Sequence, residues 1–485
     1  MATLIGALSL VALLFFSSFP PAAESRGSRV RKLEEESDFF LTQKEHWFNQ
    51  TLDHFSITGH RKFQQRYYEF LDHYQAPKGP VFLVVCGEES CDGIFRNYIV
   101  ALAKKFGAAL VSLEHRYYGK SYPFSNLTAR NLQFLSSKQA LFDMAVFRQY
   151  YQEHLNAKYG VGESPWFVIG LSYAGALSAW FRLKFPHLTC GSLASSAAIH
   201  MVYNFADYDL QMGRSVGTEC KTVLQEITHL AEKQLQNDGN SVKNLFGASK
   251  IKDDYFLYLL ADVAGSAIQD GTPDQLCSPL IDAKRNGTNL LVPSYLSLTI
   301  ALDLDLSEVY STYIKNNFLG NYSSLDLYDP EYYKNTTPGQ NSADRLWWFQ
   351  LCTEFGNFQV APKSDAIRSS RIDLRWHLNF CKNMFGSVYH KINMTNVYYG
   401  GKNISGTKII FTNGSQDPWL GASKQTSSKD LPSYLLKCHN CAHGFDLAGC
   451  PSSASDVKEK CENAVHAVRQ KIIEHMELWL SQCSA

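Results

Sequence analysis

Short apolar runs alternate with helical patterns along most of the chain. Val81 to Val85 (VFLVV) is a continuous apolar run ended by Gly87. That pattern predicts a strand buried on both faces. Ala109 to Leu113 (ALVSL), Trp166 to Ile169 (WFVI), Ser192 to Ala197 and Lys408 to Thr412 (KIIFT) read the same way. Between them Ile94 to Phe106 and Ala174 to Phe185 carry helical spacing, the second stopped by Pro186. Strands alternating with helices imply a parallel sheet. The last helix is the sharpest: Val457, Cys461, Val465, Val468, Ile472, Met476 and Trp479 recur every three or four residues, one apolar face for the sheet. Asp456, with Glu459 three residues on, supplies its cap. From about Met201 to about Arg375 strand-like runs are few and helical ones many, such as Val223 to Leu235 and Tyr255 to Ile268. This stretch reads as a helical insertion between two strands. The expected division is 41–200 and 376–485 for the sheet and 201–375 for the insertion.

The N-terminus adds a compartment. Leu4 to Phe16 is apolar and is followed by Ser17, Ser18, two prolines and the small residues Ala22 and Ala23. That is a secretory signal over 1–23, although Met1 to Thr3 carry no basic residue. The apolar run is short for a membrane span. Residues 24–40 are polar and charged and read as a flexible leader or pro-segment. The 12 cysteines are an even number. Asn49, Asn126, Asn286, Asn321, Asn335, Asn393, Asn403 and Asn413 each open an N-x-S/T sequon. These features agree on the secretory pathway, with an extracellular or lysosomal or vacuolar lumen as destination, where disulfides persist. Lys+Arg and Asp+Glu are both 46, so no net charge drives binding to nucleic acid or to a membrane surface.

The candidate chemistry begins at Gly170-Leu171-Ser172-Tyr173-Ala174-Gly175, which follows a predicted strand and opens a predicted helix. That is the setting of a nucleophile elbow, a turn tight enough to need small residues on both sides of the serine. Ala174 stands where a second glycine is usual, with Gly175 next. A capping serine in an ordinary strand–helix turn would fit the pentapeptide equally well. A serine nucleophile needs a base, and the base needs an orienting carboxylate. Asp417 lies in the turn Asn413-Gly414-Ser415-Gln416-Asp417-Pro418-Trp419, just past strand KIIFT, and His443 follows in Ala442-His443-Gly444-Phe445-Asp446-Leu447. The order Ser, Asp, His is that of α/β-hydrolases.

From Trp47 onward the chain resembles the serine peptidases that include lysosomal prolyl carboxypeptidase, lysosomal dipeptidyl peptidase and thymus-specific serine protease. The marks are Trp47-Phe48-Asn49-Gln50-Thr51-Leu52-Asp53-His54-Phe55, Glu114-His115-Arg116-Tyr117-Tyr118-Gly119, the elbow, Lys184-Phe185-Pro186-His187, Gln350-Leu351-Cys352-Thr353-Glu354, Asn413-Gly414 with Asp417-Pro418-Trp419, and Ala442-His443 with Asp446-Leu447. The resemblance implies an α/β-hydrolase fold with an inserted helical cap. It implies Ser172 as nucleophile, Asp417 as orienting acid, His443 as base, and exopeptidase action, often beside proline. In such a fold the backbone N–H of Tyr173 and one from the Gly87-Glu88 loop would form the oxyanion hole. Two departures stand near the expected pocket. Cys86-Gly87-Glu88-Glu89-Ser90-Cys91 replaces a Gly-Asn-Glu-Gly loop, and Ala176 replaces a methionine four residues after the nucleophile. The thymus-type branch is the nearer one. Trp419 is expected to line the pocket and Ala176 to leave it roomier, so that proline is tolerated and not required.

Cys438-His439-Asn440-Cys441 has the spacing of a metal or redox motif, yet in an oxidising compartment these are disulfide cysteines, with Cys450, Cys461 and Cys483 as available partners. By the resemblance Cys352 pairs with Cys381, and Cys86 with Cys91 would close a small loop beside the oxyanion hole. No metal and no cofactor are expected. Peptides are the expected partners; nucleic acid is not, nor stable membrane insertion after signal cleavage, and a homodimer is compatible with the reading. All sequons except Asn413 are expected to carry glycans, because a glycan there would crowd Asp417. An esterase or lipase, and a catalytically silent binding protein on the same fold, are the competing classes.

Overall fold

The apolar runs become the centre of one eight-stranded sheet. The computed structural model describes residues 39–160, 162–289, 306–319, 322–339, 342–388, 390–450 and 455–483. The signal, the leader up to residue 38, Asn321 and the side chains of Asp456 and Val457 lie outside the described residues. The strands are β1 (Phe40–Thr42), β2 (His46–Thr51), β3 (Lys62–Phe70), β4 (Val81–Val85), β5 (Ile94–Phe95), β6 (Ala109–Leu113), β7 (Trp166–Leu171), β8 (Gly191–Ser195), β9 (Ile409–Gly414) and β10 (Ser433–Leu436). Their order in the sheet is β10-β9-β8-β7-β4-β6-β3-β2, with β1 and β5 paired apart as a small antiparallel ribbon. From β10 through β6 every pairing is parallel, while β3 and β2 add on antiparallel.

Alternate residues of the central strands face two helical layers. Val81, Leu83, Val111 and Val168 point to a core shared with α2 (Ser137–Tyr159) and α3 (Ser172–Lys184). Phe82, Leu110, Phe167 and Ile169 point to the opposite core. There they meet α1 (Tyr98–Phe106) and α10 (Ser455–Cys483), whose Cys461, Val465, Val468, Ile472, Met476 and Trp479 are all buried, as the apolar stripe predicted.

Between β8 and β9 the chain is helical. α4 (Ala206–Leu245, interrupted at Gly217 and Asp238), α5 (Asp253–Gln269) and α6 (Pro273–Asn289) build a core of their own around Leu224, Ile227, Leu257, Leu260 and Leu276. α7 (Ala343–Gln350), α8 (Leu374–Phe385) and α9 (Ile392–Tyr399) instead join the layer of α2 and α3. Trp180 of α3 stacks on Tyr399 at 4.0 Å. The expected boundary at 375 falls inside α8. A mainly parallel sheet covered on both faces, with a helical insertion beyond the strand ends, is an α/β-hydrolase fold.

Two expected elements differ. The helix expected from Ile94 begins at Tyr98, because Asn97 caps it by accepting a hydrogen bond from Ile99 N–H at 3.0 Å. Ile94 and Phe95 pair with β1, so Phe40 belongs to a strand and not to a flexible leader. Helix α2 had no apolar period to reveal it, since it buries Gln139, Asp143, Arg148 and Gln152 together with its leucines.

Those buried polar groups are matched one to one. Arg116 is fully buried and uses its whole guanidinium. Nε and Nη2 donate to the two carboxylate oxygens of Asp143 at 2.6 Å each, Nη1 donates to Leu52 and Phe134 carbonyls, and Nη2 also donates to Thr51. Asp143 also takes His54 Nε2 at 2.7 Å. One ion pair therefore ties the loop after β6 to α2 and to the loop after β2. Six disulfides join Cys86–Cys91, Cys190–Cys483, Cys220–Cys277, Cys352–Cys381, Cys438–Cys441 and Cys450–Cys461. Cys438 and Cys441 thus close on each other, and Cys483 reaches back to β8.

Arg116→Met strands Asp143 in the interior without its partner. Breaking one side of a buried pair costs about 3–5 kcal/mol. The exposed Arg285–Glu219 pair is the control, where Arg285→Ala changes stability by no more than about 0.5 kcal/mol. Urea unfolding with disulfides intact measures both; equal shifts for the two variants would refute the anchoring role of Arg116.

Candidate active site

Ser172 sits where β7 turns into α3, with φ of 58°, a left-handed backbone that a side chain adopts only under constraint. The constraint is close packing. A methyl group at Gly170 would lie 2.1 Å from the Ala174 carbonyl oxygen, and one at Gly175 would lie 2.6 Å from the Ser195 carbonyl oxygen on β8. Gly175, not residue 174, is therefore the second obligatory small position. The Ala174 side chain instead faces the loop after β4, where a methyl group on Gly87 would stand 3.5 Å from it. This places Gly87 against the first turn of α3. No side chain caps α3, so its first N–H groups, Tyr173 among them, have no capping side-chain acceptor.

The side chain of Tyr173 is fixed by a relay. His115 Nδ1–H donates to the Arg116 carbonyl at 2.8 Å, which leaves Nε2 to accept from the Tyr173 hydroxyl at 3.0 Å. Burial holds the His115 imidazole neutral, with its pKa lowered to about 4. Gln350 Nε2 donates to the same hydroxyl at 3.0 Å, and Gln350 Oε1 accepts from Tyr118 at 2.7 Å. Two of the sequence marks, around His115 and Gln350, thus meet on the residue after Ser172.

Asp417 and His443 come together at the ends of β9 and the loop after β10. His443 Nδ1 lies 2.9 Å from Asp417 Oδ2, and Asp417 Oδ1 accepts from Trp419 N–H at 2.9 Å. Asp417 is fully buried. The two loops can touch because β9 ends in glycine: a methyl group on Gly414 would be 2.1 Å from the Ala442 carbonyl oxygen. Asp446 pins the loop from the other side, accepting Ser195 Oγ at 2.5 Å and Thr412 Oγ1 at 2.7 Å. Gly444, next to His443, packs on Leu171, next to Ser172. His443 Nε2 is buried and has no hydrogen-bond partner among the described residues.

Two further carboxyls join the site, Glu88 from the loop expected to supply an oxyanion donor and Asp270 from a stretch with no site motif. Glu88 and Asp270, both partly buried, lie close enough to act on His443. Burial pushes each up to about 7, against the pull of the imidazole. Burial works to lower the His443 pKa, but the Asp417 carboxylate, with Glu88 and Asp270 behind it, wins and leaves it above the ordinary value. Asp270 arrives from the insertion, at the end of α5. Gln269 beside it accepts His443 N–H on its carbonyl at 3.2 Å and Trp419 Nε1–H on its side chain at 2.7 Å. Only folding brings these groups to the site, so no local motif announces them.

The other expected site residues fall as follows. Trp419 is 8% exposed, its ring against Phe205 and Tyr208. Ala176 is wholly enclosed in the core. Asn49, Asn286, Asn335, Asn393 and Asn403 are exposed, and Asn126 half-buried. Asn413 is 2% exposed, with Nδ2 donating to the Lys424 carbonyl at 3.0 Å. The sulfurs of Cys438, Cys441 and Cys461 lie within 4.8 Å of one another, and each is spent in a disulfide. Among the described residues no helix is long and apolar enough to cross a membrane.

The family described as Serine carboxypeptidase S28 matches residues 50–472. The Arabidopsis thaliana protein named Probable serine protease EDA2 is 52% identical over 459 residues, 92% of this chain and 91% of that one. Human Thymus-specific serine protease is 30% identical, covering 90% of this chain and 86% of its own length. Mouse Lysosomal Pro-X carboxypeptidase is 28% identical over 98% of this chain and 97% of its own. Among solved structures, proline iminopeptidase of Mycobacterium smegmatis aligns over 89% of this chain and 98% of that one at 11% identity, with a TM-score of 0.32, too low to carry an argument.

A glycan cannot be accommodated on an amide packed into the interior. Glycopeptide mass spectrometry of the protein expressed through a eukaryotic secretory pathway is expected to find carbohydrate at exposed sequons such as Asn49 and Asn335 and bare Asn413. A glycan on Asn413 in folded protein would contradict this packing.

Proposed function

The chain belongs to the serine carboxypeptidase S28 family, and from that premise we propose how this serine-type peptidase works: a Ser172–His443–Asp417 triad acting near a peptide terminus. The observation that carries the reading is the 2.9 Å Asp417–His443 bond, with His443 Nε2 buried and without a partner among the described residues, and Gly444 packed on Leu171, next to Ser172. Ser172 Oγ attacks the scissile carbonyl and passes its proton to His443 Nε2. The tetrahedral oxyanion is received by Tyr173 N–H and an N–H of the Gly87-Glu88 loop. His443 then protonates the leaving amine, and water repeats the sequence to release the acyl group. Asp417 fixes the tautomer and stabilises the imidazolium.

Exopeptidase action is supported by the insertion, which brings Gln269 and Asp270 to the acid and base loops and would restrict access to them. Peptides are the substrates; a preference beside proline rests on what the Pro-X carboxypeptidase relatives are named for. Trp419 and Ala176 are too enclosed for direct contact, so any influence on specificity runs through packing. A secretory, lysosomal or vacuolar lumen suits six disulfides and exposed sequons.

Ser172→Ala should abolish labelling by a fluorophosphonate and lower peptide turnover by several orders of magnitude, since such triads act as a unit. Near-wild-type turnover would remove the nucleophile assignment. Matched short peptides with Pro, Ala or Leu before the cleaved bond, against a folded protein, test the terminal preference; efficient internal cutting of the folded protein would overturn it.

The pH profile follows from the acids around the base. His443 accepts a proton only when neutral, and its pKa is raised. The labelling rate of Ser172 should therefore rise with pH through a midpoint above the ordinary histidine value of about 6.5. Asp270→Asn removes a negative neighbour and should move that midpoint down. An upward or absent shift would show that Asp270 does not act on the base.

A further inference from the structure

Helix α5 ends on Gln269, a buried side chain that meets the loop carrying Asp417 and the loop carrying His443 at once. Carbonyls in the last turn of a helix need partners from outside its own ladder. The Gln269 carbonyl accepts His443 N–H at 3.2 Å, and its side-chain Oε1 accepts the Trp419 indole N–H at 2.7 Å. The chain then turns sharply at Gly271, where φ is 70°. A methyl group there would stand 2.3 Å from the Phe445 ring and 3.0 Å from the Asn440 carbonyl oxygen. Past the turn Asp274 accepts Asn440 Nδ2–H at 2.9 Å, so the insertion stays docked on the His443 loop.

These bonds close a circuit. Trp419 N–H donates to Asp417 Oδ1 at 2.9 Å, and Asp417 Oδ2 meets His443 Nδ1 at 2.9 Å. His443 returns to Gln269 through its backbone N–H, and Gln269 returns to Trp419 through its side chain. The indole N–H lies in the interior, where a donor without an acceptor is costly. Gln269 therefore sets where the indole rests, and the backbone of that same tryptophan holds the Asp417 carboxylate.

Resting on the triad reading above, we propose that Gln269 is a positioning residue for the hydrolysis. It fixes the acid and the base relative to each other from the inserted helices, without touching substrate. The insertion is then a working part of the site as well as its cover.

The test uses the full-length, disulfide-intact protein. Gln269→Leu keeps most of the side-chain bulk and removes the acceptor. Fluorophosphonate labelling of Ser172 and kcat for a short peptide should each fall about tenfold or more, with KM moved no more than about twofold, since misaligned groups cost rate and not binding. Trp419→Phe deletes the same bond from the donor side. Because the bond is shared, the double variant should be no slower than the worse single variant. One readout is independent of activity: the hydrogen-bonded Nδ1 proton of His443, followed by NMR with isotope-labelled histidine, should exchange with water faster in both single variants. Urea unfolding checks each fold, and if Gln269→Leu does not fold, Trp419→Phe carries the test alone. Labelling and turnover within about twofold of the parent, a change in KM alone, losses that multiply in the double variant, or an unaltered imidazole proton would each overturn the positioning role. Undiminished turnover by Ser172→Ala sinks the triad reading instead, and the imidazole proton still judges the circuit.

Discussion

The site depends on one backbone constraint, the left-handed conformation of Ser172 between β7 and α3. A serine held there stands clear of its strand, but the turn is tight enough that Gly170 meets the carbonyl of Ala174 and Gly175 meets that of Ser195. The strain is carried by the fully buried strand β7 and by α3, whose Trp180 is locked against Tyr399. Packing of the α2/α3 layer is thus what keeps the nucleophile candidate in place, and part of that packing comes from the inserted helices. The insertion stiffens the elbow as well as covering it.

The same economy appears in the long sequence marks. Glu114 carries no chemistry: it is fully buried and accepts Arg66 at 2.6 Å, Cys91 N–H at 3.0 Å and Ser121 at 2.6 Å. His54, Arg116 and Asp143 form a second closed set, and Glu354 caps α2 by accepting Ser137 N–H at 2.9 Å. A buried polar group left without its partner costs about 1–3 kcal/mol, and more if charged. Such sets tolerate little change, so their residue strings look as specific as catalytic ones. His115 and Gln350 bridge the two kinds, since their hydrogen bonds end on Tyr173.

What the sequence revealed follows from how local each signal is. β4 and β6 were bounded to the residue because a continuous apolar run between turn residues has one reading. Ser172, Asp417 and His443 were legible because each follows a strand end in a fixed order. Helix α2 was not, because its buried face is half polar and satisfied by distant partners. β2 was missed because an edge strand packs one face only and alternates weakly, and β3 because its buried stretch includes the polar Gln65 and Arg66. The Glu88 loop was placed by the site, but the action of its carboxyl on His443, and Asp270 altogether, were not legible, because no spacing along the chain encodes nearness to His443. Gly175 was read as a neighbour of the elbow, and its need for a bare Cα became visible only with β8 in place.

The three carboxyls around His443 are not equivalent, and the difference has a chemical use. Asp417 is hydrogen-bonded on both oxygens, to the imidazole and to Trp419 N–H. Glu88 has a single backbone hydrogen bond of its own, and burial pushes both it and Asp270 up to about 7. Near neutrality each is poised between charge states, so the field at the imidazole strengthens as the solution becomes less acidic. On the proposed reading, a proton moving from Ser172 to His443 would create a cation at a buried imidazole, and negative groups fixed in advance would favour that cation at the moment it forms. The same groups raise the affinity of His443 for a proton before substrate arrives, which costs active base in acid. On that reading, a helical insertion that delivers one of these carboxyls would set the balance between ease of proton removal and activity at low pH, and would do so from outside the sheet that carries the proposed triad.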